Sequence, residues 1–150
     1  MRLSALDRKI LNCIQQDIPL ASEPFKILSN KLGIKEDELL CRIKDLKQRG
    51  IIRTFCAGIN HRRLGFASSL IALKLPANRV EAVAKEIVKY QEITHCFLRE
   101  GEYNLWMVFL SPQKQNLKRF FNKMVKKIGK ENVLSLPTRK KFKLRNLLKI

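Results

Sequence analysis

Near residue 62 the spacing of the hydrophobic residues changes, which limits the chain to folds with a helical part followed by a sheet-containing part. Before that point apolar residues recur at helical intervals. Leu6, Ile10, Leu11 and Ile14 share one face, with Ser4 placed to cap the helix and Pro19 to end it. A second helix is predicted from Pro24, whose missing N–H is harmless in a first turn, through Phe25, Ile27, Leu28 and Leu32 to Gly33. A third sets Leu39, Leu40, Ile43 and Leu46 on one side and stops at Gly50. Three short helices with a tight turn at Gly33 predict a helix-turn-helix. Residues 51–55 and 57–60 are then predicted as the two strands of a wing.

Beyond His61-Arg62-Arg63-Leu64-Gly65 the pattern is mixed. Residues 66–75 predict a strand stopped by Pro76, and 80–90 a helix with Val83, Ile87 and Val88 inward. Residues 93–99 and 103–110 predict a hairpin around Gly101. A helix follows from Pro112 through Leu117, Phe120, Phe121, Met124, Val125 and Ile128 to Gly129, then a last strand over 133–143. The order βαββαβ is ferredoxin-like. The expected fold is α+β: a winged helix-turn-helix over residues 1–62, then a ferredoxin-like domain over 63–150 for ligand binding and dimerisation. Two helices cover only one face of such a sheet, and Ile71, Leu73 and Trp106 are expected on the bare one.

Composition sets further bounds. No run approaches the roughly 18 apolar residues of a membrane span. The opening Met-Arg-Leu-Ser-Ala-Leu-Asp leads directly into an amphipathic pattern, unlike a signal peptide, so a cytoplasmic protein is expected. Cys13, Cys41, Cys56 and Cys96 lack paired spacing and read as small buried thiols rather than metal or disulfide sites. The net charge of +18 is uneven: residues 61–150 hold 20 of the Lys and Arg against 6 acids, whereas residues 1–60 hold 11 against 7. The attraction for anions therefore belongs to the second part. The third helix opens Lys35-Glu36-Asp37-Glu38, and three acids there repel a phosphate backbone. DNA is thus not the expected partner of the helix-turn-helix, even with Arg42, Lys44, Lys47 and Arg49 behind them.

The segment THCFLREGEYNLW, residues 94–106, carries the chemistry. A two-residue turn at Glu100-Gly101 would pair Arg99 with Glu102, Phe97 with Asn104 and His95 with Trp106. Cys96, Leu98, Tyr103, Leu105, Met107 and Phe109 then face the helices. Ile93, His95, Phe97, Arg99, Asn104, Trp106 and Val108 face the other way. Flat aromatic surface with a guanidinium and an imidazole suits a large planar anion, and equally a dimer contact. His61, beside two arginines, is the other histidine.

The segments PFKILSNKLG (24–33), GIIRTFCAGINHRRLGF (50–66), THCFLREGEYNLW (94–106) and LPTRKKFKLR (136–145) together resemble the siroheme decarboxylase subunits of the alternative haem pathway. Those subunits are themselves similar to Lrp/AsnC regulators. The family's wing often reads IIRRFGA, where Thr54 and Cys56 stand here. The resemblance implies removal of carbon dioxide from the C12 and C18 acetates of siroheme, giving 12,18-didecarboxysiroheme. It implies His95 and His61 as proton donors, with Arg53, Arg62, Arg63, Phe97, Arg99, Asn104 and Trp106 around the substrate. No protein metal site and no cofactor beyond the iron tetrapyrrole substrate are expected, with haem a further candidate ligand. The expected partner is a second copy or a related second subunit, with no membrane. Two alternatives stay open: a ligand-responsive Lrp/AsnC-like regulator, and a non-catalytic haem sensor ligating iron through Cys56, Cys96, His61 or His95.

Overall fold

Ser4 starts the first helix by a reciprocal cap: its hydroxyl accepts from the Asp7 N–H, and the Asp7 carboxylate accepts from the Ser4 N–H, each at 3.0 Å. This computed structural model describes residues 2–143 and 147–150. Helix α1 spans Ala5–Gln16, α2 spans Pro24–Leu32 and α3 spans Glu36–Gln48. Gly33 ends α2 at φ 68°, a left-handed conformation that favours glycine. Ile10, Leu11, Leu28, Leu39, Ile43 and Leu46 form the helical core. Leu40 does not join them; it is exposed, one residue off the inward stripe.

The wing strands are not formed. Residues 53–60 carry no strand, because only Cys56 separates the two predicted segments and a hairpin turn needs at least about two residues. Ile51 and Ile52 instead donate to the Leu46 carbonyl and close the end of α3.

The second part has the predicted βαββαβ order: β1 Ala67–Leu73, α4 Ala77–Ile87, β2 Ile93–Leu98, β3 Leu105–Ser111, α5 Lys114–Ile128 and β4 Val133–Leu136. The last strand is shorter than predicted. All pairs are antiparallel in the order β2-β3-β1-β4. One sheet face packs on both helices through Ile71, Leu73, Met107, Phe109, Val83 and Phe120. This corrects the sequence expectation for Ile71 and Leu73, which lie under the helices. The run Leu70-Ile71-Ala72-Leu73 is apolar throughout, so it carries no alternation from which a phase can be read.

Two compact units result: Met1–Gly58 with Lys143–Ile150, and Ile59–Phe142. Residues 143–150, expected in the second domain, fall in the first unit, and the described part of this tail lies along α1. Asn12 donates to the Ile150 carbonyl at 2.8 Å and accepts from its N–H at 3.3 Å. Gln15 does the same for Leu148, at 3.3 and 2.8 Å. Leu144 and Arg145 of the 136–145 motif, and Asn146 after it, lie outside the described residues. Among the described residues no helix is long and apolar enough to cross a membrane.

Candidate functional site

The uncovered sheet face is built from two rows that run across all four strands. One row is Phe97, Trp106, Ala72 and Leu134; the next is His95, Val108, Leu70 and Leu136. Between them is a depression of about 320 Å³ lined by Leu70, Phe97, Arg99, Trp106, Met107 and Val108. Phe97 is 50% exposed, Leu136 44% and Leu70 38%, so this face is both apolar and open.

The hairpin that carries it differs from the predicted one. Leu98 pairs with Leu105 and Phe97 with Trp106, a register two residues away from that of a Glu100-Gly101 turn. A tight turn there would require Glu100 at positive φ, where a side chain is strained, so the loop widens to residues 99–104. The Arg99 N–H donates to the Asn104 carbonyl at 2.8 Å, and only Gly101, at φ 120°, occupies positive φ. A two-residue shift keeps every side chain on its face, so Phe97, Arg99 and Trp106 still meet.

Four details of the predicted site change. A bulge at Thr94 puts Ile93 opposite Phe109 and turns it toward the helices. Leu98 is exposed at the strand end rather than packed. His95 is exposed, opposite Val108 rather than Trp106; its ring lies 6.0 Å from that of Phe97 and its Nδ1 is 3.0 Å from the Thr94 hydroxyl. Asn104 is a clamp on β1, accepting from the Leu75 N–H at 3.1 Å and donating to the Leu75 carbonyl at 2.7 Å. That commits both ends of its amide to backbone and removes it from the ligand-facing set.

Arg99 lies over the Phe97 ring, 5.7 Å from its centroid. Glu102, expected beside it, pairs with Lys74 at 2.6 Å. The Trp106 indole N–H donates to the Tyr103 carbonyl at 2.6 Å, so it presents its ring and not its donor. Val108 lies on this face as expected, whereas Leu70 and Leu136 were not predicted for it; their places became visible only through the strand register.

His61, Arg62 and Arg63 form a turn before β1. The Phe66 N–H donates to the His61 carbonyl, and the Arg62 guanidinium donates to the Thr138 carbonyl at 3.2 Å. None of the three lines the depression. Arg53 is exposed in the first unit. Of the cysteines, Cys13 is buried as expected, whereas Cys41 and Cys56 are exposed because both lie outside any apolar stripe. Cys96 is half-buried against the helix side of the sheet, and burial pushes its thiol up from the ordinary cysteine range.

On α3 the cations are partly consumed by their own neighbours. Arg42 pairs with Asp7 and Glu38, and Arg49 with Asp45. These pairs, with Glu36 and Asp37 at the helix start, leave little charge for a phosphate backbone.

Comparison with known proteins agrees with this architecture. Residues 7–53 match the family described as the siroheme decarboxylase NirDL-like HTH domain, and residues 63–143 match the AsnC-like ligand binding domain. The siroheme decarboxylase alpha subunit of Desulfovibrio desulfuricans is 35% identical over 143 residues, 95% of this chain and 82% of that protein. The beta subunit from Methanosarcina barkeri is 36% identical over 105 residues, 67% of this chain and 69% of that one. The crystal structure of the siroheme decarboxylase NirDL in complex with an iron-uroporphyrin III analogue superposes with a TM-score of 0.68 at 32% identity, covering 87% of this chain and 43% of that one. Escherichia coli AsnC, at 18% identity and a TM-score of 0.81, shares the fold over 98% of this chain and 99% of its own. On the strength of the matches across both units, the chain belongs to the siroheme decarboxylase subunits.

Proposed function

We propose that this chain is a carboxy-lyase subunit that removes carbon dioxide from the C12 and C18 acetates of siroheme, producing 12,18-didecarboxysiroheme for haem biosynthesis. The observation that carries the reading is the apolar depression between Phe97 and Trp106 with the Arg99 guanidinium beside it. Aromatic rings stack on a flat macrocycle, and a guanidinium holds a carboxylate by paired hydrogen bonds. At about 320 Å³ the depression is at the small end of ligand sites, so it holds one side of a large ring. A second subunit laid on the same apolar face supplies the other wall and excludes water. The alpha and beta subunit names of the relatives accord with such a pair.

In each step the bond between the acetate methylene and its carboxylate breaks. Carbon dioxide leaves, the bonding pair passes into the conjugated ring, and a proton on the methylene carbon completes a methyl group. One proton is consumed per carbon dioxide and no net oxidation occurs. A histidine near neutral pH is suited to give that proton. His95, on the open face beside Phe97, is assigned this role, with His61 as the second donor. Arg53, Arg62 and Arg63 are assigned to the spectator carboxylates, each charge-assisted bond contributing about 1.5–3 kcal/mol. The iron tetrapyrrole is the substrate, and the reaction requires no other cofactor.

Anaerobic incubation of the protein with siroheme, followed by mass spectrometry of the tetrapyrrole, tests the reading. The expected product has lost two carbon dioxide units. Siroheme recovered unchanged, both from this chain alone and from this chain with a beta-type subunit, would refute it.

A further inference from the structure

Of the 20 Lys and Arg in residues 61–150, six stand on a single helix on the other side of the sheet. Helix α5 carries Lys114, Lys118, Arg119, Lys123, Lys126 and Lys127, with no Asp or Glu among its 15 residues. Its Phe120 and Met124 are buried against Ile71, Leu73, Met107 and Phe109, on the face opposite Leu70, Trp106 and Val108. The cations therefore project from the outer surface of the helix layer, away from the depression.

Some of this charge is already used. Lys127 pairs with Glu86, Lys123 donates to the Tyr90 hydroxyl, and on α4 Lys85 pairs with Glu81. Among the described residues no acidic side chain pairs with Lys114, Lys118, Arg119 or Lys126, all of them exposed. Lys114, Lys118 and Lys126 lie with Asn122 along one row, successive members rising about 6 Å. Such a row fits a linear polyanion.

Three classes of anionic partner remain, and the composition of the face separates them. Stable anchoring on a lipid surface takes an apolar insertion beside the basic patch, but the apolar residues of α5 are turned into the core. A protein interface is anchored by buried aromatic and aliphatic groups and is depleted in lysine, whereas the outer residues here are Lys, Arg, Gln115 and Asn122. Phosphodiester backbones are held by Lys, Arg, Asn and Gln with no apolar component. We propose that the outer face of α5 binds the phosphate backbone of nucleic acid, independently of base sequence and without using the helix-turn-helix.

Fluorescence anisotropy of the full chain with a labelled random-sequence duplex tests this. With about four phosphate contacts, affinity should fall on the order of 100-fold between about 50 and 200 mM salt. The triple variant Lys118→Gln, Arg119→Gln, Lys126→Gln removes exposed charges only; at about 50 mM salt it should bind at least about tenfold more weakly and with a flatter salt dependence. The α3 variant Lys44→Gln, Lys47→Gln should bind like the parent. Siroheme turnover should be unaffected by the triple variant, because these side chains lie across the sheet from the proposed substrate face. The proposal is overturned if the duplex does not bind at about 50 mM salt, or if the α3 variant loses binding and the α5 variant keeps it. It is equally overturned if a polyglutamate peptide or phosphatidylglycerol vesicles displace the duplex at concentrations of charge below that of unlabelled duplex.

Discussion

His95 and Arg99 differ in what they touch, and their substitutions separate accordingly. The only side-chain polar neighbour of the His95 ring among the described residues is Thr94, so the fold asks little of it. His95→Ala should abolish turnover in single-turnover assays yet leave siroheme affinity within about tenfold, since stacking and arginine contacts persist. His61→Ala should slow turnover less, or stop it at the singly decarboxylated product if each histidine serves one acetate. Doubly decarboxylated product at the parent rate from His95→Ala would remove it from the mechanism. Arg99 makes its contact with Phe97 and leaves Glu102 to Lys74. Arg99→Ala should therefore weaken siroheme binding by about 10- to 100-fold, equivalent to one charge-assisted bond, with little change in melting temperature. An unchanged siroheme titration alongside a large fall in melting temperature would make Arg99 structural.

At the scale of elements, two clamps hold the segments that carry the site and the helical unit. Asn104 ties the wide β2–β3 loop to Leu75, two residues past the end of β1. Leu75 is buried, so Asn104→Ala leaves its backbone groups without partners and should destabilise the protein by about 1–3 kcal/mol in urea unfolding. A loss confined to siroheme affinity would return Asn104 to the substrate set. In the helical unit, the Ser4 hydroxyl, followed by the Ser4 N–H and the Arg42 guanidinium, holds the Asp7 carboxyl below its usual range, against an upward push from burial. A depressed folded-state value means that this stabilisation is complete above the ordinary carboxylate range and is lost as pH falls through the depressed value. Asp7→Asn should thus lower stability near neutral pH and converge with the parent in acid. Parallel stability–pH curves for the two proteins would show that the ionised carboxylate contributes nothing.

At the scale of the whole molecule, the exposed rows Phe97–Trp106 and His95–Val108–Leu70–Leu136 form an apolar face that a single chain leaves in water. A dimer through this face is expected by light scattering at tens of micromolar. Leu70→Glu with Leu136→Glu should make it monomeric, because two buried like charges would oppose each other across a twofold interface. A monomeric parent at that concentration would rule out self-association and leave the face to a different subunit.

The amino-acid sequence by itself determined the order of helices α1–α5 and strands β1–β4, though not the missing wing strands, because caps, breakers and helical periodicity are local. Ser4, Pro24 and Gly33 mark helix ends through bonds made within a few residues, and Phe120 and Met124 point inward through a 3.6-residue period. It also determined that Phe97, Arg99 and Trp106 share a face, since alternation along strands survives a two-residue change of register. Only the tertiary structure decided the hairpin register, which keeps Glu100 out of positive φ and lets the Asn104 side chain grip the segment after β1. The same holds for the phase of β1: Leu70 through Leu73 are all apolar, and helix packing alone selects Ile71 and Leu73 for the core and leaves Leu70 to the open face. The position of the charge was likewise out of reach of the sequence. A count of lysines has no direction until α5 is laid on one side of the sheet and the depression is found on the other.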